Sequence, residues 1–141
     1  MSDINQLISI IIPVFNESES IVFLIDEVIG VMAANKLNFE LIVVNDGSKD
    51  DTHQVLKQLT LKIKELSVIC LRKNYGQTAA MAAGFDNSKG DIVITLDGDL
   101  QNDPQDIPKL ISEINNGYDL ICGWRFDRKD KLINRKIPSK I

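Results

Sequence analysis

The sequence predicts an α/β chain built on a mostly parallel sheet with helices over both of its faces. Three observations carry that prediction. Short β-rich runs alternate with segments whose apolar residues recur at helical spacing. Several of the runs are continuously apolar, as strands are when helices cover both sides of a sheet. Each run is followed by a polar loop, the place where α/β proteins gather their ligand chemistry.

The elements follow in order. Leu7 to Pro13 reads as a strand, and Ser18 to Asn35 as a helix with Ile21, Leu24, Ile25, Val28, Ile29 and Met32 on one face. Phe39 to Val44 is a second strand, and Ser48 to Asp51 resembles a capping box opening a helix with the stripe Val55, Leu56, Leu59 and Ile63. Leu66 to Leu71 is a third strand and Asn74-Tyr75-Gly76 a turn. A small-residue helix from Thr78 to Asn87 and a strand from Asp91 to Leu96 come next. Ile107, Leu110, Ile111 and Ile114 then mark a helix, and Tyr118 to Gly123 a fifth strand.

At 141 residues and 44% hydrophobic content the chain has the size of one domain with a real core. No stretch approaches the roughly 20 apolar residues that span a bilayer, and the N-terminus lacks the pattern of a signal peptide, so neither spanning nor export is expected. Cys70 and Cys122 each sit in an apolar run and read as buried, reduced thiols of a cytosolic protein. The lone His53, near a helix start, reads as a surface residue. The net charge of −4 is uneven, with +5 on 124–141 and −9 on 1–123. An acidic body argues against nucleic-acid binding, whereas the basic tail suits phosphate groups or an anionic membrane surface, or is an ordinary solvated helix. Trp124 suits a membrane interface or ordinary packing equally. The expected layout is a domain at 1–123 and a tail at 124–141, with no stop signal after Pro138-Ser139-Lys140, as in a piece of a longer protein.

The chemistry centres on Asp97-Gly98-Asp99, directly after the fourth strand. Asp-Gly also makes hairpin turns, but no second β-rich run follows here. An EF-hand loop needs Gly at its sixth position and Glu at its twelfth, where this chain has Asn102 and Pro108. Neither the glycine-rich dinucleotide fingerprint nor a P-loop is present, so phosphate is not held mainly by backbone amides. Two carboxylates about 4 Å apart repel by roughly 4 kcal/mol at an effective dielectric near 20. A hard cation, Mg²⁺ or Mn²⁺, bridging Asp97 and Asp99 to a diphosphate answers both problems, with Gln101 as an optional further ligand.

Three stretches together resemble the family 2 glycosyltransferases. They are Ile11-Ile12-Pro13-Val14-Phe15-Asn16-Glu17, Val44-Asn45-Asp46-Gly47-Ser48-Lys49-Asp50, and Leu96-Asp97-Gly98-Asp99-Leu100-Gln101-Asn102-Asp103-Pro104. The resemblance implies the GT-A fold, a Rossmann-like three-layer sandwich that binds nucleotide sugars. The D-x-D-L-Q-x-x-P form is similar to the polyprenyl-phosphate sugar transferases such as dolichyl-phosphate mannose synthase. It implies that Pro13, Phe15, Glu17, Asp46, Gly76, Gln77, Asp97 and Gly98 hold the nucleotide sugar, with Asp46 accepting from the base. Asp97, Asp99 and Gln101 would be the metal ligands, and Arg125 with Asp97 and Asp99 the catalytic set. Arg125 and Arg135 would hold acceptor phosphate, with Arg128 and Lys136 also available. The family's D-D-G-S stands here as Asn45-Asp46-Gly47-Ser48, without the first aspartate.

The acceptor sets the chemistry. A phosphomonoester with a second pKa of about 6 is already a nucleophile at neutral pH, whereas a sugar hydroxyl needs a general base. The resemblance therefore implies inverting transfer from a UDP- or GDP-sugar to a polyprenyl phosphate at the cytosolic face of the membrane. The alternatives are a saccharide hydroxyl acceptor, or a truncated nucleotide-sugar-binding module without turnover.

Overall fold

The computed structural model describes residues 6–98 and 103–116. The expectations for Asp99, Gln101, Cys122, Trp124, Arg125, Arg128, Arg135, Lys136, the strand at 118–123 and the tail at 124–141 fall outside the described residues.

Four strands, β1 (Leu7–Val14), β2 (Asn38–Asn45), β3 (Leu66–Cys70) and β4 (Ile92–Thr95), form a sheet in the order β3-β2-β1-β4. Every pairing is parallel, with Ile8 opposite Phe39 and Ile92, and Leu41 opposite Leu66. Between them run α1 (Ile21–Ala34), α2 (Thr52–Lys62) and α3 (Gln77–Asp86). A 3₁₀ turn, Pro104–Asp106, leads into α4 (Ile107–Asn115), its start closed by Gln105 N donating to the Asp103 carboxylate at 2.9 Å.

Side chains alternate across a strand, so each run divides between two layers. Ile8, Ile10, Ile12 and Val14 of β1 join Leu41 and Val43 of β2 in one cluster under α1, α2 and α4. Ile11, Ile42 and Val44 point the other way, onto Ala80 of α3. Burying each large aliphatic side chain contributes about 1.5–3 kcal/mol, which is why the helices are drawn to both faces. Small residues let α3 come close: a Cβ on Gly84 would lie 2.5 Å from Cγ2 of Ile11.

Several boundaries differ from the sequence expectation. Helix α1 starts at Ile21 rather than Ser18 because Glu17 N donates to Thr52 Oγ1 (3.0 Å) and Ser18 N to Asp50 Oδ2 (3.5 Å), holding that stretch as a loop. On its inner face Val31 is buried, whereas Ile29 is half-buried. Ser48 does not cap α2, which starts at Thr52, four residues later. Its hydroxyl instead accepts from Asn16 N at 2.9 Å. Cys70, expected to be buried, is exposed at the end of the edge strand β3, with Sγ 3.4 Å from His53 Nδ1.

On the other side of β1, Leu7 N donates to Asp91 Oδ2 (2.9 Å) and Asp91 N to the Leu7 carbonyl (2.7 Å), pinning the start of β4 to β1. Among the described residues no helix is long and apolar enough to cross a membrane.

Alanine at position 84 is expected to destabilise the chain by about 1–2 kcal/mol in urea titrations. The overpacking against Ile11 outweighs the roughly 1 kcal/mol that alanine gains over glycine inside a helix.

Candidate functional site

The order β3-β2-β1-β4 means that the chain steps outward from β1 through β2 to β3 and then returns to β1's other side. The loops after β1 and β4 therefore diverge at a topological switch point, where open α/β sheets form their ligand crevice. A cavity of about 490 Å³ opens there. Pro13, Val14, Phe15 and Glu17 enter it from β1, and Asp46 from β2. Asn74, Gly76 and Gln77 enter from the loop before α3, and Asp97 and Gly98 from β4. All eight residues that the sequence assigns to nucleotide-sugar binding thus line one cavity. Val14 and Asn74 join them.

The floor is built by hydrogen bonds between loops. Asn16 adopts a left-handed backbone (φ 55°), a conformation that asparagine tolerates better than most residues. Its N–H donates to Ser48 Oγ, and its Oδ1 accepts from Lys49 N at 2.8 Å. Asn45 is 3% exposed, and its Oδ1 accepts from Ser48 N at 3.1 Å. An amide suffices for that turn and avoids a second buried charge beside Asp46. Gly47 has φ 69°, and a Cβ there would meet the Lys73 carbonyl carbon at 2.3 Å, so the β2 loop lies directly on the 73–74 backbone.

Asp46 is 4% exposed and bound on both oxygens. Oδ1 accepts from Tyr75 N (2.8 Å), and Oδ2 from Gly76 N (3.0 Å) and Asn74 Nδ2 (3.2 Å). A carboxylate offers about four acceptor positions. Among the described residues, three are thus taken, all by this chain's own turn, and one stays open to a ligand N–H. The sequence placed Asp46 at the pocket but not its work on the Asn74-Tyr75-Gly76 turn, since nothing local in the sequence shows a bond across 28 to 30 residues.

At β4, Gln77 Nε2 donates to Asp97 Oδ1 at 3.3 Å. A Cβ on the buried Gly98 would stand 2.5 Å from Cγ1 of Val14, so this turn rests on the end of β1. Ser20 Oγ lies 2.9 Å from the Gly98 carbonyl and 3.1 Å from Glu17 Oε1. Ser20 escaped the sequence reading, which saw it as an ordinary residue of the first helical turn.

Glu17, Asp46 and Asp97 bring three carboxylates to the cavity, and among the described residues lining it there is no Lys, Arg or His. Such a lining repels a diphosphate unless a cation enters with it. The oxygen donors suit a hard divalent ion. Among the described residues no group of three or more His, Cys, Asp or Glu is placed to hold a metal ion.

Comparison with known proteins agrees with this geometry. The family model described as "Glycosyl transferase family 2" matches residues 9–141. The chain is 45% identical over 134 residues to a dodecaprenyl-phosphate galacturonate synthase of Rhizobium johnstonii, covering 94% of this chain and 40% of that protein. It is 42% identical over 137 residues to an undecaprenyl-phosphate 4-deoxy-4-formamido-L-arabinose transferase of Pseudomonas savastanoi pv. phaseolicola, covering 96% of this chain and 40% of that one. The chain thus spans about 40% of the length of these curated relatives. Among solved structures, glucosyl-3-phosphoglycerate synthase from Mycobacterium tuberculosis in complex with UDP superposes with a TM-score of 0.65 at 25% identity, covering 82% of this chain and 42% of that one. These neighbours have the GT-A fold.

Two outcomes follow from the loops. Asp46→Asn keeps one acceptor oxygen but turns an NH₂ toward the donors of the 74–76 turn. It is expected to cost about 2–3 kcal/mol in denaturant unfolding, with faster amide exchange at Tyr75 and Gly76. Asp50, whose carboxylate accepts from the Thr52 hydroxyl, is held below its ordinary value of 3.8 by that bond. Because the folded value is the lower one, its contribution is complete above the ordinary carboxylate range and is lost as pH falls through the native value. The stability gap between the wild type and Asp50→Asn should therefore be constant near neutrality and close only in acid.

Proposed function

Because the chain belongs to glycosyl transferase family 2, we propose that it forms the donor-binding part of a glycosyltransferase. The enzyme moves a sugar from a nucleoside diphosphate onto a polyprenyl phosphate. The observation that carries this reading is the carboxylate-lined cavity at the switch point, in a chain 45% identical to a polyprenyl-phosphate sugar transferase. The relatives' names support the acceptor class, and the UDP complex of the solved neighbour supports the donor class.

In this reading Pro13, Phe15 and Glu17 line the nucleotide's place. Phe15 offers an exposed ring (41%) at the cavity, and Asp46 offers its remaining acceptor position to the base. Asp97 and Asp99, with Gln101, would hold Mg²⁺ or Mn²⁺, which would supply positive charge against the leaving diphosphate. A phosphate oxygen of the acceptor attacks the sugar C1 in line. The bond from C1 to the diphosphate oxygen breaks, the configuration inverts, and the electron pair leaves with the nucleoside diphosphate. The acceptor is ionised at neutral pH, so no general base is required and rate comes from positioning and charge stabilisation. Arg125 and Arg135 pair with the acceptor phosphate. The basic segment 124–141 meets the anionic surface at the cytosolic face of the membrane.

The 40% span of the relatives favours a second reading, in which this chain by itself binds the nucleotide sugar without turnover.

The test supplies radiolabelled UDP- and GDP-sugars with Mn²⁺ and undecaprenyl phosphate to this chain, and to a longer protein that contains it. Label is expected in the organic extract, and removing the metal with EDTA should abolish transfer. Binding by calorimetry without label transfer would select the binding-module reading. Label confined to polymer would replace the lipid phosphate with a saccharide acceptor.

A further inference from the structure

Serine at the start of a helix normally turns its hydroxyl back to accept from an amide of the first turn. Ser20, which immediately precedes α1, makes no such bond. Its hydroxyl faces two acceptors, the Gly98 carbonyl at 2.9 Å and Glu17 Oε1 at 3.1 Å. Facing only acceptors, it must donate, and its single proton serves one of them at a time. The shorter contact is to Gly98, 78 residues away in sequence.

That carbonyl belongs to the peptide between Gly98 and Asp99. The same residue is closely packed, because a Cβ on Gly98 would meet Val14 Cγ1 at 2.5 Å and the Pro13 carbonyl at 3.2 Å. The end of β1 and the Ser20 hydroxyl therefore both fix the Gly98 backbone. Ser20 itself is not among the residues lining the cavity. A helix start that forgoes its usual cap in favour of a loop across the sheet edge breaks a local rule, and such breaks gather at functional sites.

We infer that Ser20 is a positioning residue for the Asp97-Gly98 turn, holding the Gly98 carbonyl so that the Asp97 carboxylate keeps the place a cation and diphosphate require. This rests on the metal-diphosphate reading of that turn given above. Because Ser20 lies between β1 and α1, its bond to Gly98 ties the segment after β1 to the turn after β4.

The test uses the full chain as wild type, Ser20→Ala, Ser20→Thr and Asp97→Asn. Mn²⁺ is titrated in the presence of UDP and, separately, GDP, with the free ion followed by electron paramagnetic resonance. Amide exchange at residues 96–98 is read without ligand. Loss of one hydrogen bond should weaken Mn²⁺ binding about fivefold in Ser20→Ala and speed exchange at the turn. Ser20→Thr, which keeps the hydroxyl, should restore both. Unchanged exchange at the turn in Ser20→Ala, or Mn²⁺ binding equal to wild type in that variant while Asp97→Asn has lost it, would overturn the role of Ser20. Threonine failing to rescue would do the same. Wild-type Mn²⁺ binding by Asp97→Asn would instead bring down the metal reading itself, and this inference with it.

Discussion

The fold depends on one constraint: β1 has to be hidden on every side. Ile8, Ile10, Ile11 and Ile12 are at most 1% exposed, and the strand is hydrogen-bonded on both edges, to β2 and to β4. A strand with apolar residues on both faces and partners on both edges can only be central. Once it is central, helices must cover both layers, and a chain that has built β2 and β3 to one side has to return to the other. That return creates the switch point. The position of the crevice is therefore a consequence of where the isoleucines went, decided before any polar residue takes part.

The polar residues then determine what the crevice is like. Two kinds of interaction divide the task. Asn16 binds the loop after β1 to Ser48 and Lys49 of the loop after β2, and Asn45 closes the turn of the latter onto Ser48 N. Asp46 carries a charge into a nearly dry position, where it is tolerated because three donors from one turn converge on it. Each arrangement turns an irregular stretch into a defined surface without secondary structure. Together they give the loops after β1 and β2, and the loop before α3, a common framework.

The strands and helices were legible because burial writes a period into the sequence. The apolar stripe of α1 and the alternation that splits β1 between two layers are local signals. Which residues meet at the sheet edge was legible too, since parallel strands bring their following loops to one side. Less legible were interactions between loops. Ser48 looks like a cap in sequence and serves as an acceptor for Asn16. Cys70 looks buried by its neighbours and is exposed, because membership of an edge strand is a property of the sheet and not of the run. Ser20 carried no signal, since its partner lies beyond any local window. The distinction is physical: periodicity reports on water, whereas hydrogen bonds between distant loops report on topology.

The clashes that a Cβ would create at Gly47 and Gly98 have a consequence of their own. At Gly47 main chain rests directly on main chain, and at Gly98 it rests on the Val14 side chain, with less than a methyl group of clearance. Contacts this close leave no room for a larger residue at either glycine. Change is accommodated more readily at outward-facing residues, of which Phe15, Tyr75 and Gln77 are exposed examples. Substitutions meant to alter the cavity should vary those positions and leave the glycines alone. The division is between an invariant mould and an adjustable mouth.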